Sequence, residues 1–333
     1  MKPIRAGIIG FGRVAEKSHL PKMQDSDCYD VVGVCDITES RRAFAEELGL
    51  KATGSVDDFL GWDIELVVIT THSSQHYEDA LKVAAAGKHM LIEKPMSVTG
   101  QQAEEMVAAA KDNNVVLNVM HNRHFDPDYR LVKAAVEDGL LGDLVTIENR
   151  TIGSRPAVGY GTPDYNQSWR ITAAAGGGTL LDFGPHWVEQ VLDLMKGEKV
   201  VQVFGDVRHI KWGDADDIFR IDMIFESGVR ASAAKCDIAY YSPPDKWLIF
   251  GTEATLHGPV SVGDQKQIVV TGEDSELKRT KAVPAVNLHE NLAEHIRESK
   301  ELVISTEHAL RVMQVIQAGV DSAAAGKSVD VSI

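Results

Sequence analysis

The sequence predicts an α/β protein with two domains, a doubly wound parallel sheet followed by an α+β domain with an open, mainly antiparallel sheet. Up to residue 121, short apolar runs alternate with helical patterns, which is typical of parallel strands covered by helices on both faces. Beyond residue 122, several strands with alternating polarity follow one another directly, which indicates hairpins. A chain of 333 residues also exceeds one ordinary domain. We therefore expect domains at 1–121 and 122–333.

The first domain is expected to repeat a strand–helix unit. Right-handed crossovers between such units give a doubly wound sheet. Thr38 is the expected cap of the second helix. The strands are "IRAGIIG", "YDVVGVCD", "IELVVIT", "HMLIEKP" and "VVLNVM", and the helices are "VAEKSHLPKM", "TESRRAFAEELGL", "SSQHYEDALKVAAAG" and "TGQQAEEMVAAAKDN".

The second domain is expected to mix helices with a sheet of hairpins. A helix in "PDYRLVKAAVEDGLLG" leads to a strand at 144–152, a glycine-led helix starts in "GGGTLLDFGPHWVEQ", and two helices close the chain at about 288–300 and 307–325. The remaining strands are "KVVQVFGDVRHI", "DIFRIDMIFE", "VRASAAKCDIA", "WLIFGT", "ATLHG" and "QIVVTG".

Composition excludes several classes of protein. A net charge of −15 without blocks of like charge disfavours nucleic acid and anionic membrane as partners. Three cysteines without a CxxC spacing favour a reducing compartment, and we expect a cytoplasmic location. No run approaches the roughly 18 apolar residues of a membrane span. The start "MKPIRAGIIGFG" is expected to form a strand rather than a signal peptide.

A glycine-rich turn follows the first strand. Gly10, Gly12 and Ala15 form G-x-G-x-x-A between a strand and a helix, and the next strand ends in Asp36. Such glycines let backbone amides approach a pyrophosphate, and the acid holds a ribose hydroxyl. We therefore predict a Rossmann domain that binds NAD. NADP becomes tolerable if Arg41 and Arg42 reach the adenine end.

Two further stretches carry polar groups suited to chemistry. Lys94 follows the strand in "LIEKPMS", at the sheet edge that faces ligands in a doubly wound fold. Asp182 and His186 lie four residues apart in the glycine-led helix and share a face. Their residue types alone leave two interpretations open. Lys94 could be a solvated residue before a proline stop, and the other two a buried hydrogen-bonded pair.

The three motifs together resemble the Gfo/Idh/MocA family of nicotinamide-dependent oxidoreductases. The resemblance spans nearly the whole chain and includes "NRHFDPDYRLVKAAVEDGLLGD" and "SWR". It implies a Rossmann domain, a C-terminal open-faced sheet used for substrate and oligomer contacts, and substrates among sugars and polyols. The family usually has proline where His72 stands, and often aspartate where Glu189 stands.

The resemblance also implies site residues. Lys94, Asp182 and His186 match the catalytic positions. Arg123, Trp169 and Arg170 are expected at the substrate from their own chemistry, since an indole suits the apolar face of a sugar and a guanidinium suits hydroxyls or a carboxylate. Simple packing is an equal alternative for Trp169. The expected cofactor-binding residues are Gly10, Gly12, Arg13, Val14, Asp36, Thr71, His76, Glu93 and Lys94.

In alcohol oxidation we expect His186 to take the hydroxyl proton, since its pKa lies near neutrality. Lys94 would stabilise the developing alkoxide charge. Asp182 would orient the substrate or the other two groups. An alternative assigns the proton to Lys94, and the sequence does not decide between them.

The predicted function is hydride transfer between NAD(P) and a secondary alcohol or ketone of a sugar, polyol or cyclitol. One alternative is cleavage of a glycoside through transient oxidation by tightly held NAD, and another is a non-catalytic sensor of nucleotide or sugar. A metal site at His72 and His76, or at His121 and His124, lacks a third ligand at a supporting spacing, so none is expected. A homodimer or homotetramer is expected.

Overall fold

The computed structural model describes residues 2–156, 158, 168–259, 268–273, 276–279 and 281–333. The chain divides into two compact units. Unit 1 comprises Met1–Met120, Ala157–Gly177 and Asn287–Met313, and unit 2 comprises His121–Pro156, Gly178–Val286 and Gln314–Ile333.

Unit 1 contains a six-stranded parallel sheet of order β3-β2-β1-β4-β5-β6. This is the doubly wound order in which ligands bind beyond the carboxyl ends of the strands. The central strands are almost wholly buried, because helices cover both faces. The strands are β1 (Ile4–Ile9), β2 (Tyr29–Cys35), β3 (Lys51–Thr53), β4 (Leu66–Ile69), β5 (His89–Glu93) and β6 (Leu117–Met120).

The helices of unit 1 follow the predicted order, with two local additions and with a helix at 288–298 that was expected in the second domain. The first helix begins as a π-helical turn, Ala15–His19, before α1, and the short pair β3 and α3 had no counterpart in the sequence patterns. Thr38 is the N-cap residue of α2, but its side chain makes no capping hydrogen bond. The helices are α1 (Leu20–Gln24), α2 (Glu39–Glu47), α3 (Val56–Leu60), α4 (His76–Ala85), α5 (Gly100–Asp112) and α8 (Leu288–Glu298).

Unit 2 contains a nine-stranded sheet of order β14-β13-β12-β11-β7-β10-β9-β8-β15. Its strand pairs are antiparallel except β7 with β10, which run parallel. The mainly antiparallel α+β prediction is therefore confirmed. The strands are β7 (Leu144–Ile152), β8 (Val200–Arg208), β9 (Ile218–Phe225), β10 (Arg230–Cys236), β11 (Asp245–Gly251), β12 (Ala254–Pro259), β13 (Ile268–Gly272), β14 (Glu276–Arg279) and β15 (Val329–Asp330).

One face of this sheet is covered by α7 (Thr179–Leu194), which packs on β7, β9 and β10. Asn149 of β7 donates a hydrogen bond to Gln190 of α7 across that buried layer (2.9 Å). Helix α6 (Pro127–Glu137) packs beside α7. The last helix, α9 (Thr306–Ala325), begins in unit 1 and ends in unit 2. No helix in the described part of the chain is long and apolar enough to cross a membrane.

Candidate cofactor and active site

A pocket opens at the carboxyl ends of β1, β2 and β4 in unit 1. The glycine turn, the end of β2, the segment after β4 and the stretch before the three glycines all contribute to its wall. The pocket is lined by Ile9, Gly10, Gly12, Arg13, Val14, Cys35, Asp36, Ile37, Val56, Thr70, Thr71, His72, Gln75, Asp79, Trp169 and Arg170.

Gly10 shows why the turn requires glycine. Its φ is +86°, in the left-handed region, and a Cβ there would lie 2.8 Å from the backbone nitrogen of Thr71. Its own amide donates to the carbonyl of Cys35 (2.8 Å). The glycine turn is thereby held close to the ends of two neighbouring strands, with room for a ligand above it.

Asp36 lies buried at the floor of the pocket. One carboxylate oxygen accepts the amide of Phe11 in the glycine turn (2.6 Å), and the other accepts the amide of Thr38 (2.8 Å). These bonds fix the carboxylate beside the glycine turn, the place at which an acidic residue meets the ribose in Rossmann folds. A fixed negative charge at that point repels a 2′-phosphate.

The two arginines near Asp36 are held in different ways. The Arg41 guanidinium lies over the stacked rings of Phe11 and Phe44 (5.2 and 5.0 Å to the ring centres) and forms an ion pair with Glu16 (2.7 Å). Arg42 donates to the carbonyl oxygens of Asp36 and Ile37 (2.8 and 2.9 Å). Arg41 is therefore buried and paired within the protein, whereas the Arg42 guanidinium lies at the loop that follows β2.

Asp36 should decide the preference between the two nicotinamide dinucleotides. We expect Asp36→Ser to raise the ratio of kcat/KM for NADP to that for NAD by about tenfold or more, because a carboxylate facing a phosphate costs at least about 1.4 kcal/mol. Steady-state kinetics with both cofactors measure this ratio. Asp30→Ser, at an exposed position of the same strand, should leave it unchanged. An unaltered ratio in Asp36→Ser would remove this residue from cofactor selection.

Trp169 and Arg170, predicted at the substrate, line the same pocket as the glycine turn. Trp169 stacks on His72 with ring centroids 5.0 Å apart, and the Arg170 guanidinium lies 4.4 Å from the Trp169 ring centre. Burial, and then the nearby Arg170 charge, lower the pKa of His72. His72, which departs from the proline usual in the family, thus supplies a flat surface for Trp169.

His76 lies beneath the pocket rather than in its wall. Its ring nitrogens face the carbonyl oxygens of Pro95 (2.8 Å) and Thr71 (3.1 Å), and burial lowers its pKa. Thr71 itself donates to Asp79 (2.8 Å). The His76 ring therefore links the segment after β4 to the segment after β5 through hydrogen bonds.

Glu93 and Lys94 lie at the carboxyl end of β5, and the peptide bond from Lys94 to Pro95 is cis. Glu93 accepts the Lys94 amide (3.2 Å) and contacts His19 (2.9 Å). Burial tends to raise the pKa of Glu93, but His19 and the Lys94 charge outweigh it and hold that pKa below its usual range. Glu93 is therefore a carboxylate, and the Lys94 side chain is half-buried.

In unit 2, Asp182 and His186 occupy successive turns of α7. His186 is buried and Asp182 is half-buried. Arg123 lies over two other rings of the same helix, those of Phe183 and Trp187 (5.7 and 5.5 Å to the ring centres). The predicted residues Arg123, Asp182 and His186 are thus gathered around one helix.

The start of α7 explains the last of the three glycines. Gly178 is the N-cap residue, with φ +108°, and a Cβ there would collide with the carboxylate of Asp216. That carboxylate accepts the amide of Leu180 (2.6 Å). Asp216 therefore does for this helix what a capping side chain does elsewhere, from a distant part of the chain that sequence spacing does not reveal.

We expect Gly178→Ala to destabilise unit 2 by about 1–3 kcal/mol, from left-handed strain and from the collision with Asp216. Gly197→Ala is the matched control, since Gly197 has φ +83° with nothing within 4 Å of its added Cβ. The control should show the strain alone. Urea denaturation of both variants measures the difference, and equal losses would mean that the contact with Asp216 is unimportant.

Asp216 should also give the protein a pH-dependent stability. Burial raises its pKa from 3.8 to about 6, so the folded state binds this proton more tightly than the unfolded state. Its contribution is fully present below pH 3.8 and is lost as pH rises to about 6. The free energy of unfolding, relative to that of Asp216→Asn, should fall by about 2 kcal/mol across this window. A constant difference between the two proteins from pH 4 to 7 would contradict the shift.

Glu189, the other departure from the family, is a buried residue of α7. It contacts His124 (2.7 Å), and although burial favours the neutral ring, the Glu189 charge raises the pKa of His124. Lys133 pairs with Asp193 nearby (2.8 Å). Within the described residues, no group of three or more His, Cys, Asp or Glu side chains is arranged to hold a metal ion.

Comparison with known proteins agrees with this architecture. Residues 4–121 match the profile of an oxidoreductase family with an NAD-binding Rossmann fold, and residues 129–257 match the C-terminal domain of Gfo/Idh/MocA proteins. The chain is 28% identical to scyllo-inositol 2-dehydrogenase (NADP(+)) IolW of Bacillus subtilis, over 96% of this chain and 93% of that protein. It is 28% identical to 1,5-anhydro-D-fructose reductase of Ensifer adhaerens, over 86% and 85% of the two chains.

Solved structures show the same fold. A crystal structure of an NAD-binding protein from Listeria innocua superposes with a TM-score of 0.88 at 25% identity, over 99% of this chain and 97% of the other. The WlbA dehydrogenase from Bordetella pertussis, solved with NADH and UDP-GlcNAcA, gives 0.83 at 23% identity, over 100% and 99%. The predicted NAD(P) cofactor and the enzymatic class are thereby confirmed, and the chain belongs to the Gfo/Idh/MocA family of oxidoreductases.

Proposed function

We propose that this enzyme transfers a hydride between NAD(P) and a secondary alcohol or ketone carbon of a sugar, polyol or cyclitol. The observation that carries the proposal is the pocket of unit 1, in which the glycine turn and Asp36 share one wall with Trp169 and Arg170. An indole suits the apolar face of a sugar ring, and a guanidinium suits hydroxyl groups. The relatives named for inositol and anhydrofructose support this substrate class.

We assign the cofactor to residues 1–121, and the substrate and subunit contacts to residues 122–333. The pyrophosphate is held at the glycine turn formed by Gly10, Gly12, Arg13 and Val14, and the adenosine ribose by Asp36. Thr71, His76, Glu93 and Lys94 shape the nicotinamide end. The nicotinamide ring, when bound, supplies the hydride acceptor or donor.

Protons are handled by the chain's own groups. In the oxidative direction His186 accepts the hydroxyl proton, and Lys94 donates a hydrogen bond to the same oxygen as negative charge develops on it. Asp182 orients the substrate or the His186 imidazole. Arg123 contributes to substrate binding, since its guanidinium lies over Phe183 and Trp187 of the helix that carries Asp182 and His186.

A substrate screen tests the proposal. Purified enzyme is followed at 340 nm with NAD or NADP and a panel of polyols and sugars that includes scyllo-inositol, and with reduced cofactor and 1,5-anhydro-D-fructose. We expect turnover of at least one compound. Copurifying NAD with no net NADH formation would instead indicate glycoside cleavage. Binding of NADH without any turnover would indicate a sensor.

We further propose that the open sheet face of unit 2 contacts a second copy of the chain. Phe204 and Phe250 are exposed there, and the ion pairs Arg208–Asp206 and Arg220–Asp222 present both signs of charge. A surface with both signs can match its own copy across a two-fold axis. Light scattering should give a dimer or tetramer, and a monomer at micromolar concentration would contradict this.

The free thiols of Cys28, Cys35 and Cys236 support a cytoplasmic location.

A further inference from the structure

Two buried histidines and a partly buried glutamate, from distant parts of the sequence, form a line of side-chain contacts in unit 1. His289, in the first turn of α8, contacts His19 through Nε2 and Nδ1 (3.0 Å), and His19 Nε2 contacts Glu93 Oε1 (2.9 Å). The two rings meet edge to face, with centroids 5.1 Å apart. His19 and His289 are 0% and 2% exposed. This line of contacts therefore runs from α8 to Glu93, the residue before Lys94, and both of its histidines are buried.

The direction of the hydrogen bonds follows from the charge of Glu93. A carboxylate only accepts hydrogen bonds, so His19 must carry a proton on Nε2. The His19 Nδ1 faces the Nε2 of His289 (3.0 Å), so a His289 ring that donates from Nε2 keeps the His19 proton on the nitrogen that meets Glu93. Burial lowers the pKa of His289 to about 2, so His289 is a neutral ring that can provide this donor. The opposite tautomer of His19 would place a lone pair against the carboxylate.

Both ends of this line of contacts are anchored. The Asn287 side chain accepts the His289 amide (3.1 Å), and the Tyr29 hydroxyl donates to the His289 carbonyl. At the other end, the second oxygen of Glu93 accepts the Lys94 amide (3.2 Å). A rotation of the Glu93 carboxylate would break the bond that holds the Lys94 backbone.

We propose that His289 and His19 are positioning residues, which set the orientation of Glu93 and through it the placement of Lys94. This inference rests on the function proposed above, because it takes Lys94 to act at the reacting oxygen. His289 acts by selecting the His19 tautomer that donates to Glu93, and neither imidazole needs to touch substrate.

Two variants of His289 distinguish the effect of losing its hydrogen-bond donor from the effect of losing its side-chain volume. His289→Gln retains an amide donor near the position of Nε2, and His289→Leu removes it. Groups that orient an active-site ligand typically contribute about 10–100-fold to activity. We expect kcat to fall by that factor in His289→Leu, to recover to within about threefold in His289→Gln, and KM to change little. His295→Gln, on the same helix but bonded to the Lys300 carbonyl, is the matched control.

A double variant distinguishes positioning from simple packing. His19→Gln has no tautomers, so its amide donates to Glu93 whatever occupies position 289. Adding His289→Leu to His19→Gln should therefore leave kcat unchanged, whereas a structural role would lower kcat by the same factor in both backgrounds. Equal losses in the two backgrounds would overturn the proposal. If His289→Leu folds poorly, His289→Met in the same two backgrounds provides the comparison, because methionine also lacks a hydrogen-bond donor.

Histidine ¹⁵N spectra give a readout that needs no substrate. In the full-length protein, the His19 Nε2 should be the protonated nitrogen, and His289→Leu should shift this signal while His289→Gln preserves it. An unshifted His19 signal in His289→Leu would refute the positioning role. If the wild-type enzyme turns over no sugar or polyol, the function fails, but this spectral test still decides whether His289 sets the tautomer of His19.

Discussion

Replacing His186 by alanine should lower kcat by about 10²–10⁴-fold, the usual contribution of a positioned general acid or base, and leave the Kd of NADH unchanged. The imidazole is the group whose ordinary pKa suits proton transfer near neutrality. It is buried on α7, a helix whose start is anchored by Asp216, so the alanine variant should keep its fold.

Rapid-mixing kinetics and NADH fluorescence titration measure these two quantities separately. His209→Ala is the matched control, since His209 belongs to the same unit and is exposed. An undiminished kcat in His186→Ala would take this residue out of the mechanism. Equal losses of kcat and of NADH affinity would indicate a damaged fold instead.

Replacing Lys94 by methionine should lower kcat by about 10²–10³-fold, as expected when a donor to a developing oxyanion is removed. Methionine keeps most of the side-chain length and removes the ammonium group. The reduction should appear with either cofactor, because the lost interaction is with the substrate oxygen. Lys111→Met, at an exposed position of α5, controls for loss of a surface charge.

The Lys94 and His186 variants together decide which residue takes the proton. If His186 is the base, the loss of kcat on the acidic side of the pH profile should remain in Lys94→Met, and added imidazole should partly restore His186→Ala. If Lys94 is the base, restoration should come from added alkylamines in Lys94→Met. Wild-type kcat in Lys94→Met would contradict both assignments.

The sequence was most informative where local pattern decides structure. The buried strands of unit 1 and the glycine turn at Gly10 follow from periodicity and from a backbone conformation that favours glycine. The nine-stranded sheet was predicted as mainly antiparallel, and the one parallel pair, β7 with β10, was not foreseen. That pairing depends on where β7 enters the sheet, which no local pattern reports.

The groups that support the site were not predictable in the same way. Asp216 caps a helix from 36 residues away, and His19 meets His289 across 270 residues. Each side chain looks ordinary in its own segment, because only folding brings the partners together. The short β3 and α3 were likewise absent from the prediction, since segments of three and five residues carry too little pattern.

Trp169 and Arg170 show how far resemblance extends. The "SWR" motif suggested substrate contacts, and the structure places both side chains in the wall of the pocket that contains the glycine turn. A residue in that wall can contact either the nicotinamide end of the cofactor or a substrate beside it. The proposed role at the substrate stays a prediction.

The most direct test of the account is a crystal structure of the enzyme with NAD(P) and a substrate found in the screen. The Lys94 ammonium and the His186 imidazole should both lie within about 3.2 Å of one substrate oxygen, whose carbon faces the nicotinamide. A structure in which neither the Lys94 nitrogen nor a His186 ring nitrogen lies within hydrogen-bond distance of that oxygen would contradict the mechanism.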